Sequence, residues 1–302
     1  MANALKYAVN YGQALSQMFP YKLYFGALYA TPNNGRFRWT GAKTIEIPSI
    51  ATTGRTNASR DSIGTAQRNF DNDWEQKTLT NQRKWSTLVH PKDIDQTNMV
   101  ATIANITRVF NEEKKFPEMD AYTISKIYYD WTQQSMTPDS VAPTADNVLA
   151  KFDSMMLAMD NARVPRDGRI LYCTFEVKNM LKNAAGISRS WSVQSSVNGI
   201  QREVESLDNV AVIPVPAELM KTAYDFTEGW EPAQNASQIN MALVHPLAVI
   251  TPVSYTFADL DEPTALSEGK YYYYEESFED AFILNKKKDA LQFNVTAPTP
   301  SV

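Results

Sequence analysis

Hydrophobic residues recur at helical spacing in three parts of the chain: residues 1–20, 99–131 and 147–162. The middle part is about 33 residues long, and as one helix it would extend roughly 50 Å. Pro117 interrupts its pattern. Proline lacks a backbone N–H and crowds the preceding turn. We therefore expect a kink, or a break followed by a second helix with Pro117 in its first turn.

The first twenty residues leave two interpretations open. Their apolar stripe includes Leu5, Val9, Leu15 and Phe19, and it stops at Pro20. A helix with such a stripe packs either on its own domain or, as an arm, on a neighbouring chain. The pattern favours neither arrangement.

A long polar segment separates two strand-like stretches near the start of the chain. Residues 44–48 alternate as a strand does, and a second β-rich stretch runs from Trp74 to Val89. Between them, residues 51–69 are polar and basic, with almost no large apolar side chains. An isolated two-stranded ribbon is only marginally stable in water. This ribbon therefore needs a surface to lie on, either the rest of its own chain or another copy.

Helices alternate with apolar strands between residues 147 and 253, which is typical of an α/β domain. Residues 270–293 are then expected to form a strand hairpin with a charged turn at 285–289. The predicted helices of the alternating part are 147–162, 176–185 and 217–224, and its predicted strands are 169–174, 210–216, 239–245 and 248–253.

Composition indicates a globular protein. The chain has 302 residues, of which 43% are hydrophobic and 21% charged, enough for two domains or for one core with long extensions. No segment approaches the roughly 20 apolar residues of a membrane span, and the N-terminus lacks the pattern of a signal peptide. Cys173 is the only cysteine, so an internal disulfide is excluded and folding in a reducing cytosol is expected.

Charge is unevenly distributed along the chain. The net charge is −5, but residues 36–92 contain ten Lys and Arg against five Asp and Glu. Residues 201–302 contain six against sixteen. An acidic protein is a poor candidate for gripping nucleic acid by its phosphates. Segregated charge instead suggests that copies dock head to tail, basic segment on acidic segment.

The search for catalytic chemistry finds little. The two histidines, His90 and His245, both lie in Val-His-Pro at the end of a strand-like run, where a structural role is expected. Cys173 lies in an apolar strand, where a buried, inert thiol is expected, although a Cys–His nucleophile pair stays open. The common nucleophile-elbow, phosphate-loop, dinucleotide and zinc-helix motifs are absent from the sequence. No catalytic, cofactor or metal residue is assigned.

A series of segments along the chain resembles the major capsid proteins of tailed bacteriophages with the Hong Kong 97-type fold, over nearly the whole chain. The segments are KTIEIPSI (43–50), KTLTNQRKWSTLVHPKDIDQTN (77–98), FPEMDAYTISKIYYDW (116–131), RVPRDGRILYCTFEVKNMLKN (163–183), DNVAVIPVPAELMKTAYDF (208–226), QINMALVHPLAVITPVSY (238–255) and YYYYEESFEDAFILNKKKDAL (271–291).

The resemblance implies an α+β fold with four parts. Residues 1–43 would form an N-terminal arm, and residues 44–90 an extended β-ribbon loop that lies across the neighbouring subunit. Residues 91–139 and 254–302 would form a peripheral domain with a long spine helix. Residues 140–253 would form an axial α/β domain.

The function implied is self-assembly rather than catalysis. Hexamers and pentamers of the chain would build the icosahedral shell of a virion, after folding and assembly in the cytoplasm of the bacterial host. The shell would enclose double-stranded DNA without sequence-specific binding. A portal protein is an expected partner, and no cofactor or membrane is. The arm begins close to Met1, so a separate scaffolding protein, or none, is expected rather than a fused one.

Three alternatives stay open at this point. One is the shell protein of a bacterial nanocompartment of the encapsulin type. A second is a cytosolic enzyme that uses Cys173, His90 or His245. A third is a nucleic-acid-binding module, whose affinity would fall steeply with salt.

Charge-paired docking gives a set of candidate contact residues. Basic residues of the ribbon would lie on acidic residues of a neighbour, and two tryptophans would anchor the base of the ribbon. No lysine–asparagine pair is assigned to a covalent cross-link. The candidates are Arg55, Arg60 and Arg68, Trp74 and Trp85, and Glu275, Glu276, Glu279 and Asp280.

Overall fold

The structure is a computed structural model, and it describes residues 23–58, 60, 61, 64, 68–96, 102–184 and 206–297. The helix expected within residues 1–20 lies outside these residues. Within the described ranges there are six α-helices: α1 (Gly26–Tyr29), α2 (Pro91–Gln96), α3 (Ile103–Phe110), α4 (Phe116–Gln133), α5 (Val148–Asn161) and α6 (Phe175–Asn183).

The strands in the described part of the chain form five sheets, with the orders β1-β2-β3, β15-β10-β5-β7-β6, β11-β14, β12-β13-β4 and β8-β9. The strands are β1 (Arg38–Trp39), β2 (Thr44–Thr52), β3 (Phe70–Thr78), β4 (Gln82–Val89), β5 (Ile170–Thr174), β6 (Ser206–Leu207), β7 (Val210–Val215), β8 (Tyr224–Asp225), β9 (Glu231–Pro232), β10 (Gln238–Val244), β11 (Val249–Ile250), β12 (Val253–Asp261), β13 (Tyr271–Glu279), β14 (Phe282–Ile283) and β15 (Leu291–Thr296).

The five-stranded sheet is covered on both faces, which explains the uninterrupted apolar run of β5. Tyr172 faces a core that it shares with Trp131 of α4 and Phe293 of β15. Leu171 and Cys173 face the opposite way, into a second core with α5 and α6. Strands β5 and β7 are parallel, while β10 is antiparallel to both β5 and β15. The expected alternation of helix and strand between 147 and 253 is found in outline.

The spine is helical from Ile103 to Gln133. A π-helical turn at Asn111–Lys115 joins α3 to α4, and Pro117 lies in the first turn of α4. Pro117 lies in the first turn of α4, as expected, but the expected break before it is wrong, because Lys115 and Phe116 both keep helical backbone angles. In a regular helix the proline ring would crowd the carbonyl four residues earlier, and the wider π turn accommodates it.

The ribbon is formed by β2 and β3, whose register runs from Thr44 opposite Thr78 to Thr52 opposite Phe70. Its base lies on its own chain. Ile45 is buried with Leu79 and Phe278, and the Lys286 amine donates to the carbonyl of Ile50 at 3.0 Å. Every described residue from 50 to 74 is exposed. The outer half of the ribbon is therefore uncovered in a single chain.

Strand β4 was expected in the ribbon, but it pairs with β13, with Trp85 opposite Glu275. The reason lies in the turn before it. Leu79 is buried, and the backbone N–H of Thr80 donates to the buried carboxylate of Asp280 at 2.8 Å. These contacts direct the chain out of the ribbon and into the sheet β12-β13-β4.

The hairpin predicted near the C-terminus is wrong. β13 pairs with β12 and β4, whereas β15 pairs with β10, so the last strand belongs to the five-stranded sheet. Buried Phe282 and Ile283, followed by a 3-10 helix at Asn285–Ala290, carry the chain from one sheet to the other. The helix expected at 217–224 is only a 3-10 turn at Ala217–Leu219, and the strand expected at 248–253 is only β11.

Candidate interaction surface

The three candidate arginines lie on the exposed outer half of the ribbon. Arg55 and Arg60 are in the segment that connects β2 to β3, and Arg68 immediately precedes β3. The Arg68 guanidinium lies over the Phe70 ring, 4.8 Å from its centre, and 3.7 Å from the carboxylate of Asp71. The predicted basic surface is thus exposed to solvent.

The two candidate tryptophans lie in different places. Trp74 is on β3, where the Arg38 guanidinium stacks on its ring at 3.8 Å. It points the same way as Pro48, which is directly opposite, and Ile50, which is 67% exposed. The ribbon therefore has one apolar face directed away from its own body.

Trp85 lies on β4 instead and connects the sheet to the spine. Its ring stacks on Phe110 with 3.9 Å between ring centres and 8° between planes, and it also contacts Tyr273. Trp85 thus finds its packing partners within its own chain.

Three of the four candidate acids accept hydrogen bonds within their own chain, and Glu276 accepts from the Gln82 amide and the Tyr274 hydroxyl. Glu275 is buried, 3.0 Å from the Lys115 amine, and it accepts a hydrogen bond from the Tyr273 hydroxyl. Asp280 accepts from the Thr80 backbone at 2.8 Å and from the Tyr122 hydroxyl at 2.8 Å. The carboxylates of Glu275 and Asp280 thus stabilise the junction between ribbon, sheet and spine.

Glu279 lies in the same junction. Burial raises the pKa of its carboxyl, Lys115 lowers it, and the nearby Glu118 and Asp280 carboxylates raise it further, with a net rise. The folded chain therefore binds this proton more tightly than the unfolded chain. The stability contributed by that proton is present below the unfolded pKa and is lost as pH rises through the folded value.

We expect Glu279→Gln to raise the free energy of unfolding at pH 7 and to change it little at pH 4, where the native carboxyl is largely protonated. Urea unfolding of the unassembled subunit at both pH values measures this. Asp153→Asn, at an exposed position on α5, is the control. A variant that is less stable than the parent at pH 7 would contradict the assignment.

Glu276 faces the opposite side of the sheet β12-β13-β4. Here Phe257 is opposite Glu276, Asp259 opposite Tyr274 and Asp261 opposite Tyr272, and side chains of directly opposed residues share a face. We call the surface formed by Tyr255, Phe257, Asp259, Asp261, Tyr272, Tyr274 and Glu276 the outer face.

The outer face combines aromatic rings with carboxylates. Ring centres are 6.4 Å apart between Tyr255 and Phe257, 6.2 Å between Phe257 and Tyr274, and 6.4 Å between Tyr274 and Tyr272. A depression of about 350 Å³ is lined by Phe257, Asp259, Asp261, Tyr272 and Tyr274. None of these five residues is among the contact candidates predicted from the sequence, although the alternation Tyr-Thr-Phe-Ala-Asp-Leu-Asp at 255–261 predicts a strand with this face.

The histidines cap turns. The Nδ1 atom of His90 accepts from the Lys92 backbone N–H, and that of His245 accepts from the Leu247 backbone N–H, both at 3.1 Å. The two Val-His-Pro segments thus use the same local bond. Burial lowers the pKa of the His245 imidazole, which keeps its ring neutral and able to accept.

Cys173 is fully buried, and desolvation raises the pKa of its thiol to about 12. A nucleophilic cysteine requires a thiolate, so this environment opposes the Cys–His alternative. In the part of the chain that the structure describes, no group of three or more His, Cys, Asp or Glu is arranged to hold a metal ion. Among those same residues, no helix is long and apolar enough to span a membrane.

We expect Cys173 to resist alkylation by iodoacetamide in the native protein at pH 8 and to react within minutes in 6 M guanidinium chloride, because only unfolding exposes the thiol. Mass spectrometry of the intact protein measures the adduct. A Leu157→Cys variant, with its thiol at an exposed position, is the reactive control. If Cys173 were labelled in the native protein as fully as the thiol introduced by Leu157→Cys, the burial of Cys173 would be contradicted.

Comparison with known proteins finds similarity only at the level of structure. No family model matches the sequence, and no curated protein matches it. The asymmetric unit of the mature capsid of bacteriophage PhiM1 superposes with a TM-score of 0.62 at 11% identity, covering 100% of this chain and 93% of that one. The capsid of cyanophage P-SCSP1u gives 0.63 at 9% identity, with 97% and 93% covered.

The head structure of Helicobacter pylori bacteriophage KHP40 gives a TM-score of 0.60 at 10% identity and covers 96% of this chain and 94% of that one. These likenesses extend over nearly the full length of each chain. The α+β class and the capsid fold expected from the sequence are confirmed: this chain has the fold of tailed-phage capsid proteins.

Proposed function

We propose that this chain is the major capsid protein of a tailed bacteriophage and that copies of it assemble into the shell that encloses the genome. The full-length likeness to phage capsid structures supports the proposal. The observation that carries it is the ribbon. Its described residues from 50 to 74, including Phe70 and Trp74, are all exposed in a single chain. Only contact with another chain would cover this length of uncovered strand.

The proposed shell combines rings of six and rings of five subunits. Heterologous contacts, in which different surfaces of identical subunits meet, close into such rings. The parts would be an arm (1–43), an extended loop whose ribbon is β2 and β3, a peripheral part with the spine and the sheet β12-β13-β4, and an axial part (140–253). We assign β15 to the sheet of the axial part because it pairs with β10 there.

The shell belongs to the virion in this proposal, and subunits fold and assemble in the host cytoplasm. A portal protein is a proposed partner because the resemblance implies it, and scaffolding is supplied by a separate protein or by none. The protein has no catalytic role in the proposal, which agrees with the buried thiol of Cys173.

Electron microscopy of the purified recombinant protein tests the proposal. We expect closed shells of uniform diameter. Particles from infected cells should contain double-stranded DNA. A bound cargo enzyme in place of DNA would favour a nanocompartment, and a protein that stays monomeric at high concentration would reject a shell of either kind.

The ribbon arginines provide a prediction about assembly. We expect Arg55→Glu/Arg60→Glu to reduce shell formation at least tenfold, because reversed charges on the ribbon repel an acidic neighbour at contact distance. The yield of shells in sucrose gradients measures the effect, and circular dichroism checks the fold.

Arg163→Glu reverses an exposed charge at a turn outside the ribbon and is the control. We expect shell yields close to the parent for this control. Unchanged assembly of the double variant would reject charge-paired docking of the ribbon.

A further inference from the structure

The outer face is an uncovered aromatic surface. Tyr255 is 48% exposed and Phe257 40% exposed, and both lie on an edge strand. The inner face of the same sheet is covered by Phe110 and Lys115 of the spine. An exposed apolar patch on one face of an otherwise packed sheet marks an interaction site.

The chain covers only the base of the outer face itself. The Ser254 hydroxyl donates to the carbonyl of Ala42 at 2.8 Å, and the Lys43 amine lies over the ring of Phe278. The face is open beyond this point, from Phe257 to Asp261. The interaction site is therefore a continuation of a surface that the base of the ribbon already uses.

The chemistry of the open part fits arginine. A guanidinium is planar, stacks on aromatic rings and pairs with carboxylates through directed N–H groups. Asp259 lies directly opposite Tyr274, and Asp261 lies directly opposite Tyr272. A guanidinium that entered the depression between them would contact a ring and a carboxylate at once.

The ribbon supplies arginines of this kind. Residues 53–69 contain Arg55, Arg60 and Arg68 with a single acidic residue, Asp61. The ribbon already uses arginine–ring stacking, since Arg38 lies over Trp74 and Arg68 over Phe70. Its charge is thus opposite to that of the outer face.

The two surfaces do not cover each other within one chain. The described residues of the ribbon tip and the residues Tyr255 to Leu266 are all exposed. The ribbon is held instead on Asn285, which accepts from the Lys77 amine at 3.0 Å, and on Lys286. As far as the described residues go, the match between tip and outer face is therefore left to a second copy.

We infer that the outer face of one copy binds the ribbon tip of a second copy by stacking Arg55 and Arg60 on its tyrosine and phenylalanine rings, with Asp259 and Asp261 as the pairing carboxylates. The inference rests on the proposed shell. It moves the acceptor surface from the junction acids Glu275 and Asp280 to the opposite side of the sheet, where only Glu276 of the original set lies.

Arginine-to-lysine replacement separates stacking from simple charge pairing. Arg55→Lys/Arg60→Lys keeps the charge but loses the planar group. We expect the protein concentration needed for shell assembly to rise roughly tenfold. Phe257→Ser should give a similar rise, and Tyr129→Ser, at an exposed aromatic on the spine, should give none. Assembly at the parent concentration in both the lysine and the Phe257 variants would overturn the inference.

Cross-linking tests the geometry directly. Arg60→Cys and Asp261→Cys are made in separate chains, mixed during assembly and treated with a short bismaleimide. Buried Cys173 gives little background. We expect covalent dimers that contain one chain of each kind, and none when Leu157→Cys replaces Asp261→Cys.

The outcomes distinguish the two levels of the proposal. Shells with the 60–261 cross-link support the inference. Shells without it, or with an equal 60–157 cross-link, overturn the inference and leave the shell proposal standing. If the parent protein forms no shells, the proposed function fails, and the outer-face inference fails with it.

Discussion

Replacing Asp280 by alanine is expected to lower the free energy of unfolding by about 4 kcal/mol, since each buried group left without a partner costs roughly 1–3 kcal/mol. The Asp280 carboxylate is almost completely buried, and it accepts from the Thr80 backbone and hydroxyl, the Tyr122 hydroxyl and the Ala281 backbone. Alanine removes all four acceptor contacts and leaves the donors in place.

Urea unfolding of the unassembled subunit at pH 7 measures the change. Asp280→Asn keeps one carbonyl acceptor, and we expect it to lose about half as much, roughly 2 kcal/mol. Asp153→Ala removes an exposed carboxylate from α5 and should change stability by less than about 0.5 kcal/mol. A loss below about 1 kcal/mol for Asp280→Ala would show that the junction does not depend on this carboxylate.

Trp131→Ala is expected to lower the free energy of unfolding by about 3–5 kcal/mol, the usual cost of truncating a buried tryptophan. The side chain is fully buried in α4. Its ring lies 5.0 Å from that of Phe293, and its indole N–H donates to the carbonyl of Lys288 at 3.1 Å. The residue thus joins the spine to the last strand and to the 3-10 helix before it.

Tyr129→Ala is the matched control, because it removes an aromatic ring from the same helix at a position that is 55% exposed. We expect a loss of less than about 1 kcal/mol there. Similar losses in the two variants would mean that the spine does not pack on the five-stranded sheet as the structure shows. Trp131→Phe should recover most of the packing but not the hydrogen bond to Lys288.

The local pattern of hydrophobic residues was enough to predict helices and strands whose buried positions recur at regular spacing. The helix α5 has an apolar stripe at helical spacing, and the strand β5 is apolar on both faces because both are covered. Pro117 likewise indicated the start of α4, in whose first turn it lies. In each case the signal lies within a few residues of the element that it predicts.

Pairing between distant segments was not predictable in this way. Nothing within β4 shows that it leaves the ribbon. The departure of β4 from the ribbon depends on Asp280, which is 200 residues away from Thr80 in the sequence. The C-terminal hairpin was wrong for the same reason, because β13 and β15 are close in sequence but find partners in different sheets.

The candidate site was only partly predictable. Exposure of the ribbon arginines followed from the polar composition of residues 51–69. The prediction from the sequence did not distinguish which acidic residues of β13 lie on which side of the sheet. Neighbouring Glu275 and Glu276 point to opposite sides of the sheet, one towards Lys115 and the other towards solvent, as successive residues of a strand do.

The π turn at Asn111–Lys115 makes the spine sensitive to its own length. Each added or removed residue rotates the rest of a helix by about 100°. Phe110 stacks on Trp85 before the turn, and Trp131 enters the core after it, so both orientations hold only with the present number of residues between them. Loss of a single residue from 111–115 would therefore turn one of these two rings away from its partner.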